Sequence, residues 1–400
     1  MRETAPGPWL RATAIAGAAG CLLAVASGTA GWDTAHRLLA ALALPPLIAV
    51  AIGAWATHRP LLKPALASVL LFAAAAAVTG EIAHVALATL AFASATVTAA
   101  LTFRSAWAVP APSGPWRDYV TLTKPRIMSL LLLTGACGMF VGEGGVPPLG
   151  ELAVMLAGLA LACGGASAFN HVMDADIDRL MGKRTEKRPV AAGRVPPARA
   201  IEFALALSAA SFVLLASLAN VLCAVLALVG NLFYVLVYTR WLKRSTPSNI
   251  VIGGAAGAVP PLVGWSAATG NLTLPALYLF LVVFLWTPPH FWALALLIRR
   301  NYEAAKVPML PVVRGERETV RQILIYSLVL VGVTLLPLTW SMFGLGYALA
   351  AVVLGAIFIC MAWRLRRAPS PRGAALLFHY SLLYLALLFV AMALDTVVGV

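Results

Sequence analysis

The sequence predicts an all-α polytopic membrane protein. Of the 400 residues, 61% are hydrophobic and only 11% are charged, and the mean hydropathy is +0.90. Apolar stretches of about 20 residues recur along the chain, and each is long enough to cross a bilayer as a helix. A transmembrane β-barrel would need alternation with a period of two, whereas these runs are continuously apolar. The composition therefore excludes a soluble domain.

The apolar runs fall into two groups that predict two domains. Residues 1–108 hold a four-helix transmembrane extension, residues 109–115 form a linker rich in proline and glycine, and residues 116–400 hold nine further helices. The thirteen predicted spans are 10–30, 38–56, 64–80, 82–103, 126–142, 150–172, 198–218, 220–239, 249–268, 274–298, 321–341, 345–363 and 375–398.

The placement of the basic residues predicts the orientation in the membrane. A net charge of +14 could indicate a nucleic-acid partner, but Lys and Arg cluster in short loops between apolar runs, which is the positive-inside pattern. With a cytoplasmic N-terminus, Arg37 alone among the 29 Lys and Arg residues falls on the outer side. We therefore expect the lipid bilayer, and no nucleic acid, as the partner of this chain.

One stretch, residues 170–190, concentrates acidic residues in a chain that has few. It contains four of the 15 Asp and Glu residues and lies where a long apolar run ends in a basic loop. Asn170, Asp174 and Asp178 are spaced four apart, so on a helix they share one face, whereas Asp176 points elsewhere. Hard oxygen ligands in this arrangement predict a site for Mg²⁺, which often bridges carboxylates to substrate phosphates. The alternative is a solvated helix end whose acids pair with the basic residues that follow.

Two other loops on the predicted cytoplasmic side carry cations that suit a phosphate ligand. Each loop alone is explained as a topology signal. Together with acids on the same side of the membrane, they predict a diphosphate site. The polar candidates are Lys124 and Arg126 in the first loop, and Tyr238, Lys243, Arg244 and Asn249 in the second.

The spacing Asn170-x3-Asp174-x3-Asp178 resembles the first acidic motif of the UbiA-type intramembrane prenyltransferases, which have nine transmembrane helices. Within that superfamily the chain is most similar to the protohaem IX farnesyltransferases (haem O synthases), over roughly residues 116–400. The segments that carry the resemblance are Leu122-Thr-Lys-Pro-Arg126, Asn170 to Arg194, Tyr238 to Gly254, Trp286-Thr-Pro-Pro-His290-Phe-Trp292 and Val307-Pro-Met-Leu-Pro-Val-Val-Arg-Gly315. Two positions depart from the family pattern: Asn301, where an acid is expected, and Lys306, where a glycine is usual.

The resemblance implies transfer of a farnesyl group from farnesyl diphosphate to a vinyl carbon of haem b, followed by addition of water. It implies that Asn170, Asp174 and Asp178 hold Mg²⁺. It also implies a bacterial inner-membrane enzyme whose active site faces the cytoplasm. The residues that the resemblance assigns to the leaving diphosphate are Lys243, Arg244 and Arg188, and those that it assigns to substrate binding are Lys124, Arg126, Arg188, Tyr238, Asn249 and His290.

His290 follows Pro288 and Pro289 inside a predicted span, where the prolines are expected to interrupt or kink the helix. An ionisable residue at such depth is a candidate functional residue. It would orient the haem or ligate its iron. Alternatively, it satisfies backbone carbonyl groups that the kink exposes.

Two histidines make the N-terminal extension a candidate haem-binding bundle. His36 and His84 lie near the starts of the second and fourth predicted helices, at similar depth, where they could ligate one haem. Short segments around both residues resemble half of a haem A synthase, which implies haem A synthase or cytochrome oxidase assembly partners. The alternative is four helices with incidental histidines at an interface.

Two other functions stay open for the whole chain. A UbiA-type enzyme could prenylate an aromatic acid or a quinone precursor instead of haem. A cation-coupled transporter could use the acids as its ion site, although transporters place such sites near the midplane between repeats, and no internal repeat is visible here.

Overall fold

The computed structural model describes residues 8–29, 33–57, 59–77, 87–88, 91–92, 94–96, 98–99, 115–340 and 342–399. Within these ranges every regular element is a helix. The N-terminal extension contributes α1 (Pro8–Thr29), α2 (Asp33–Thr57) and α3 (Arg59–Ala77), followed by short helical pieces between residues 87 and 99.

Nine helices of the described residues are long and apolar enough to cross a membrane, which confirms the predicted nine-helix bundle. Short helices precede the first of these nine helices and follow the second and the sixth. In chain order the helices are α4 (Trp116–Thr123), α5 (Pro125–Glu143), α6 (Leu149–Met173), α7 (Ala175–Leu180), α8 (Lys183–Glu186), α9 (Pro197–Leu218), α10 (Val221–Ser245), α11 (Asn249–Thr269), α12 (Leu274–Leu297), α13 (Arg299–Ala304), α14 (Leu310–Val313), α15 (Gly315–Leu335), α16 (Leu345–Arg367) and α17 (Pro371–Val398).

The nine long helices form a closed ring of neighbours. Going around it, α5 packs on α6, α6 on α9, α9 on α10, α10 on α11 and α11 on α12, while α12 packs on both α15 and α17. Helices α15, α16 and α17 pack in sequence, and α17 returns to α5. Because consecutive long helices run in opposite directions, the ends of α4, α6, α10 and α12 meet on the same side of the bundle.

Small residues bring α5 and α11 into close contact. A β-carbon at Gly264 would overlap the backbone carbonyl of Gly135, and one at Gly138 would overlap the backbone of Pro261. Helix pairs in lipid gain their stability from close van der Waals packing, which small residues permit. These glycines therefore fix the separation of two helices that carry the site at their ends.

Helix α10 changes its winding as it approaches the membrane surface. Residues Phe233–Leu242 form a π-helix, and an α-helical turn, Lys243–Ser245, follows without a break. The predicted span ended at residue 239, so the structure extends the helix by about one and a half turns. Long π segments are rare and are found mostly at functional sites.

Helix α12 corrects one expectation. It is continuous from Leu274 to Leu297, with Pro288 and Pro289 inside it, so the prolines do not interrupt the helix. Neighbouring helices can satisfy the backbone groups that proline frees in a membrane.

The N-terminal extension packs against the bundle on its α9 side. Phe92 meets Phe212 of α9 edge to face, with ring centroids 5.0 Å apart. Cys21 and Phe72 belong to the same apolar cluster as Leu215 of α9. His84 lies outside the described residues, and only the backbone of His36, in α2, is described. The predicted haem ligation by this pair therefore stays a prediction.

Candidate active site

Asp174 and Asp178 lie at the junction of α6 and α7. Asp174 ends α6 with φ −95° and ψ 3°, and Asp178 is in the first turn of α7. Both are buried, at 1% and 0% exposure. Among the described residues, Asp174 Oδ1 and Asp178 Oδ2 have no hydrogen-bond partner. A buried carboxylate oxygen without a partner is costly, so each of these oxygens is suited to a cation.

Two helices supply the contacts of Asp174, and Lys124 adds a further contact through Asn170. Lys243 Nζ, from the end of α10, lies 2.5 Å from Asp174 Oδ2. Asn170, one turn earlier in α6, donates from Nδ2 to the same oxygen at 2.8 Å and to Thr239 Oγ1 at 3.1 Å. Lys124 Nζ donates to Asn170 Oδ1 at 2.7 Å. The end of α10 thus reaches the acids through the residues around its π segment.

These contacts define what Asn170 does in the structure. Its amide nitrogen faces Asp174 and its amide oxygen faces Lys124. The side chain therefore positions Asp174 and the Lys124 ammonium. Coordination of Mg²⁺ by Asn170 stays a prediction.

Asp178 forms the second ion pair of the site, between its buried carboxylate and a partly exposed arginine. Arg188 Nη1, from the loop after α8, lies 2.6 Å from Asp178 Oδ1. Burial raises the pKa of Asp178, and the Arg188 guanidinium opposes that shift. Thr185 anchors the same loop by donating from Oγ1 to the Asp178 carbonyl at 2.8 Å.

Lys124 occupies a strained backbone position between α4 and α5. Its φ of 51° and ψ of 59° lie in the left-handed region, which costs a residue with a β-carbon about 1–2 kcal/mol. Burial, followed by the charge of Arg188, lowers the pKa of Lys124 to about 7. Strain of this kind is typical of functional sites. Arg126, two residues later, is exposed, and within the described ranges it has no ion pair with the acids.

Arg244 is not brought to the two buried acids. It forms a two-pronged ion pair with Asp176, with both distances 2.7 Å, and it also donates to the Met173 carbonyl. The guanidinium lowers the pKa of Asp176 to about 2. The structure agrees that Asp176 faces away from Asp174 and Asp178, and it gives Asp176 a role that the sequence did not indicate, since it holds the end of α10 against α7.

Asn249 and Tyr238 lie where α10 meets α11. Asn249, in the first turn of α11, is fully buried, and neither atom of its amide has a partner among the described residues. Tyr238 stacks on Tyr234 with ring centroids 5.5 Å apart. A buried carboxamide without partners is suited to a polar ligand, which is consistent with the predicted role of Asn249 in substrate binding.

His290, in α12, is buried and has a hydrogen-bond partner at Nδ1. Its ring lies between Trp286 and Phe378, with centroids 4.4 and 4.8 Å away. Nδ1 is 2.7 Å from Ser381 Oγ, and that hydroxyl donates to the Phe378 carbonyl at 2.7 Å. If the serine hydroxyl donates to the Phe378 carbonyl, Nδ1 donates to Ser381 Oγ and Nε2 keeps its lone pair. A histidine whose one nitrogen is oriented by a hydrogen bond in this way is a candidate metal ligand through the other nitrogen.

The loop after α12 lies against the loop that carries the acids. Asn301 in α13 donates from Nδ2 to the Met181 carbonyl. Lys306 has a φ of 54°, a backbone conformation that glycine adopts without strain. Asn301 and Lys306, the two departures from the family pattern, thus both lie in the loop after α12, which contacts the end of α7 through Asn301.

Three further residues near the acids were missed by the sequence analysis. Thr239 is recognised through its contact with Asn170. Tyr302 follows Asn301 and is buried, at 8% exposure. Burial raises its pKa to about 12, and the charges of the site also act on it. His171 is buried at 2% exposure, and both ring nitrogens lack partners within the part of the chain that is described. Its place next to Asn170 in the acidic stretch was the available signal.

The donor set fits Mg²⁺ better than a softer metal. Within the described residues, three His, Cys, Asp or Glu side chains do not converge at one point. Two carboxylates with one unpartnered oxygen each are the donors that the structure brings together. Mg²⁺ is commonly held by one or two carboxylates and completes its shell with water or phosphate oxygens.

Sequence comparisons identify related proteins for most of the chain. The model of the UbiA prenyltransferase family matches residues 131–392. A protoheme IX farnesyltransferase from Symbiobacterium thermophilum is 55% identical over 281 residues, which are 70% of this chain and 94% of that protein. One from Gloeobacter violaceus is 53% identical over 296 residues, covering 74% and 96%. One from Thermus thermophilus is 54% identical over 284 residues, covering 71% of this chain but only 46% of that longer protein.

Solved structures share the fold at lower identity. A digeranylgeranylglyceryl phosphate synthase superposes with a TM-score of 0.60 at 18% identity, covering 70% of this chain and 98% of that one. A UbiA homologue from Archaeoglobus fulgidus, bound to GPP and Mg²⁺, superposes with a TM-score of 0.53 at 18% identity, covering 69% and 99%. The family match, the sequence identity and the nine-helix ring agree: the chain belongs to the UbiA prenyltransferase family.

Proposed function

We propose that this chain is a Mg²⁺-dependent farnesyltransferase that joins the farnesyl group of farnesyl diphosphate to a vinyl group of haem b and so makes haem O. The observation that carries the proposal is the pair of buried carboxylates, Asp174 and Asp178, each with one unpartnered oxygen. Lys124, Lys243 and Arg188 supply positive charge around them. The relatives named protoheme IX farnesyltransferase support the choice of donor and acceptor.

The reaction breaks the bond between farnesyl C1 and oxygen, and the electron pair leaves with diphosphate. Bound Mg²⁺ would neutralise part of the diphosphate charge. Lys243 and Arg188 are placed to stabilise the rest, and Lys124 is held beside them by Asn170. The vinyl carbon takes the allylic cation, and water adds to the neighbouring carbon with loss of a proton.

Most of the proposed residue roles follow from the contacts above. Asp174 and Asp178 would hold the metal, with Asn170 positioning Asp174, and Tyr238 and Asn249 would contact the substrate. Arg244 contributes indirectly, because it holds the end of α10 through Asp176. Arg126, exposed in the first turn of α5, stays a proposed substrate contact for a part of the ligand outside the buried site.

His290 is the proposed contact with haem. Its Nε2 lone pair faces away from Ser381, and its ring is fixed by Trp286 and Phe378. A neutral imidazole oriented in this way suits an iron ligand. The satisfaction of freed backbone carbonyls, the alternative role, is not supported, because the partner of Nδ1 is the Ser381 hydroxyl.

The distribution of charge supports a site that faces the cytoplasm of a bacterial inner membrane. The ends of α6 and α10 that carry the acids and Lys243 lie on the side where the basic loops cluster. For residues 1–108 we propose a separate four-helix domain that carries a haem between His36 and His84. Haem A synthase or cytochrome oxidase assembly factors would then be its partners.

One assay tests the proposed activity. Purified protein is incubated with haem b, farnesyl diphosphate and Mg²⁺, and the porphyrin products are read by mass spectrometry. The expected product is heavier than haem b by one farnesyl group plus one water, less one hydrogen, because a proton leaves with the diphosphate. Prenylation of an aromatic acid without any haem product would instead establish the alternative acceptor.

A further inference from the structure

The buried acids and the cations around them form a nearly closed set of charges. Asp174 pairs with Lys243 at 2.5 Å, and Asp178 pairs with Arg188 at 2.6 Å. Lys243 is only 8% exposed and both acids are less exposed than that, whereas the Arg188 side chain is 31% exposed. The two cations that would stabilise a diphosphate are thus already bound to the two carboxylates that would hold its metal.

Because of this pairing, neither the metal nor the diphosphate binds favourably without the other. When all are ionised, the two acids with Lys124, Lys243 and Arg188 carry a net charge of +1. A divalent cation that binds alone at the unpartnered oxygens of Asp174 and Asp178 adds charge to a site with no net negative charge, and it is repelled by Lys243 and Arg188, which hold the other oxygen of each carboxylate. A diphosphate that binds alone places its oxygens beside two carboxylates and must take the cations away from them.

Both ligands together remove these costs. The metal takes the carboxylates, the cations turn to the phosphate oxygens, and no buried charge loses a partner. A fully ionised prenyl diphosphate is a trianion, so with one divalent cation it balances the charge of the five side chains. Since the breaking of a buried ion pair is strongly unfavourable unless a new partner is gained, the two ligands stabilise each other.

We propose that the pairs Lys243–Asp174 and Arg188–Asp178 act as an exchange of partners that couples metal binding to diphosphate binding, so that neither ligand binds tightly alone. The proposal rests on the proposed diphosphate site, but it does not depend on which acceptor is prenylated. Lys243 and Arg188 therefore have two functions: they stabilise diphosphate, and they oppose binding of the metal in its absence.

The test measures binding of Mn²⁺, a stand-in for Mg²⁺ with the same preference for oxygen ligands. The full-length protein in detergent is titrated with Mn²⁺, and free Mn²⁺ is followed by electron paramagnetic resonance with and without inorganic pyrophosphate. Dissociation constants are corrected for the Mn²⁺–pyrophosphate complex in solution. In the wild type, we expect pyrophosphate to tighten Mn²⁺ binding about 10- to 100-fold.

Two variants distinguish the exchange of partners from a purely structural role of the ion pairs. One should bind the metal alone more tightly, and the other should bind pyrophosphate alone more tightly. Lys243→Met removes the competitor of the metal, so Mn²⁺ alone should bind about tenfold more tightly and the coupling should shrink. Asp174→Asn frees Lys243, so pyrophosphate alone should bind more tightly while Mn²⁺ binding is lost. Arg199→Met is the matched control, because it removes a basic residue from an exposed ion pair, Arg199–Glu202 on α9.

The outcomes separate the two proposals. If Lys243→Met binds Mn²⁺ alone no more tightly than the wild type, the exchange of partners is wrong. If the wild type binds neither ligand even when both are present, the diphosphate site itself is wrong. Should Lys243→Met lose its single peak in size-exclusion chromatography, Asp174→Asn decides by the affinity for metal-free pyrophosphate, and an unchanged affinity overturns the exchange.

Discussion

The substitution Asp174→Asn tests the centre of the proposed site. It keeps the size of the side chain and one acceptor oxygen, but it removes the charge that Lys243 and a metal would share. Asp174 is 1% exposed and its Oδ2 is 2.5 Å from Lys243 Nζ, so solvent cannot replace the lost charge. A metal contributes several kcal/mol to stabilisation of a developing charge. If one of its two carboxylates supplies about 4 kcal/mol of that effect, the rate falls roughly 1000-fold.

The assay is kcat/KM for farnesyl transfer at saturating Mg²⁺, with folding checked by size-exclusion chromatography. Glu202→Gln makes the same change of charge in an ion pair on α9 whose arginine and glutamate side chains are 49% and 30% exposed, and it should stay close to the wild-type rate. Loss of a partner from a buried ion pair also costs about 3–5 kcal/mol of stability. The remaining amide oxygen of Asn should keep that cost near the lower limit. A folded Asp174→Asn protein within tenfold of wild-type kcat/KM would refute the assignment of Asp174 to the metal.

Three further predictions address the rest of the molecule. Gly264→Leu should abolish the folded protein or lower its thermal unfolding temperature strongly, because the new side chain meets the backbone of Gly135; wild-type unfolding would contradict the close α5–α11 contact. Ser381→Ala removes the acceptor that orients His290 and should weaken haem binding about 10- to 100-fold in an optical titration, whereas an unchanged affinity would exclude His290 as an oriented iron ligand. Asn301→Ala removes the donor to the Met181 carbonyl and should raise the KM for farnesyl diphosphate, since a partly buried acceptor that loses its partner costs about 1–3 kcal/mol; the same KM at equal kcat would show that this contact does not hold the loop.

The sequence was sufficient for the membrane bundle because apolar length is a strong signal. The nine predicted spans of residues 116–400 agree with the nine long helices, and the largest differences lie where helices begin or end among charges. The span predicted from residue 321 begins at Gly315, because the charged first turns of α15 hide its start. The span predicted to end at residue 239 continues to Ser245, because Lys243 was assigned to a loop.

The site was predictable where local spacing decides the contacts and not where distant segments meet. The spacing of Asn170, Asp174 and Asp178 predicted that they would lie together, and all three lie around the junction of α6 and α7, although the single helix face implied by the spacing is interrupted at Asp174. Pairing of Arg244 with Asp176 depends on how α10 approaches α7, 68 residues away in sequence. Hydrophobic periodicity carries no information about such contacts between distant side chains.

The π-helical winding of α10 determines how the protein responds to the deletion of one residue. A π-helix holds more residues in each turn than an α-helix, so removal of one residue between Phe233 and Leu242 would tighten the helix without breaking its backbone hydrogen bonds. The tighter winding would absorb the missing residue, so the side chains after it would keep their direction and Lys243 would still face Asp174. The same deletion between Val221 and Leu232, where the winding is α-helical, would instead rotate every later side chain and turn Lys243 away from the acid.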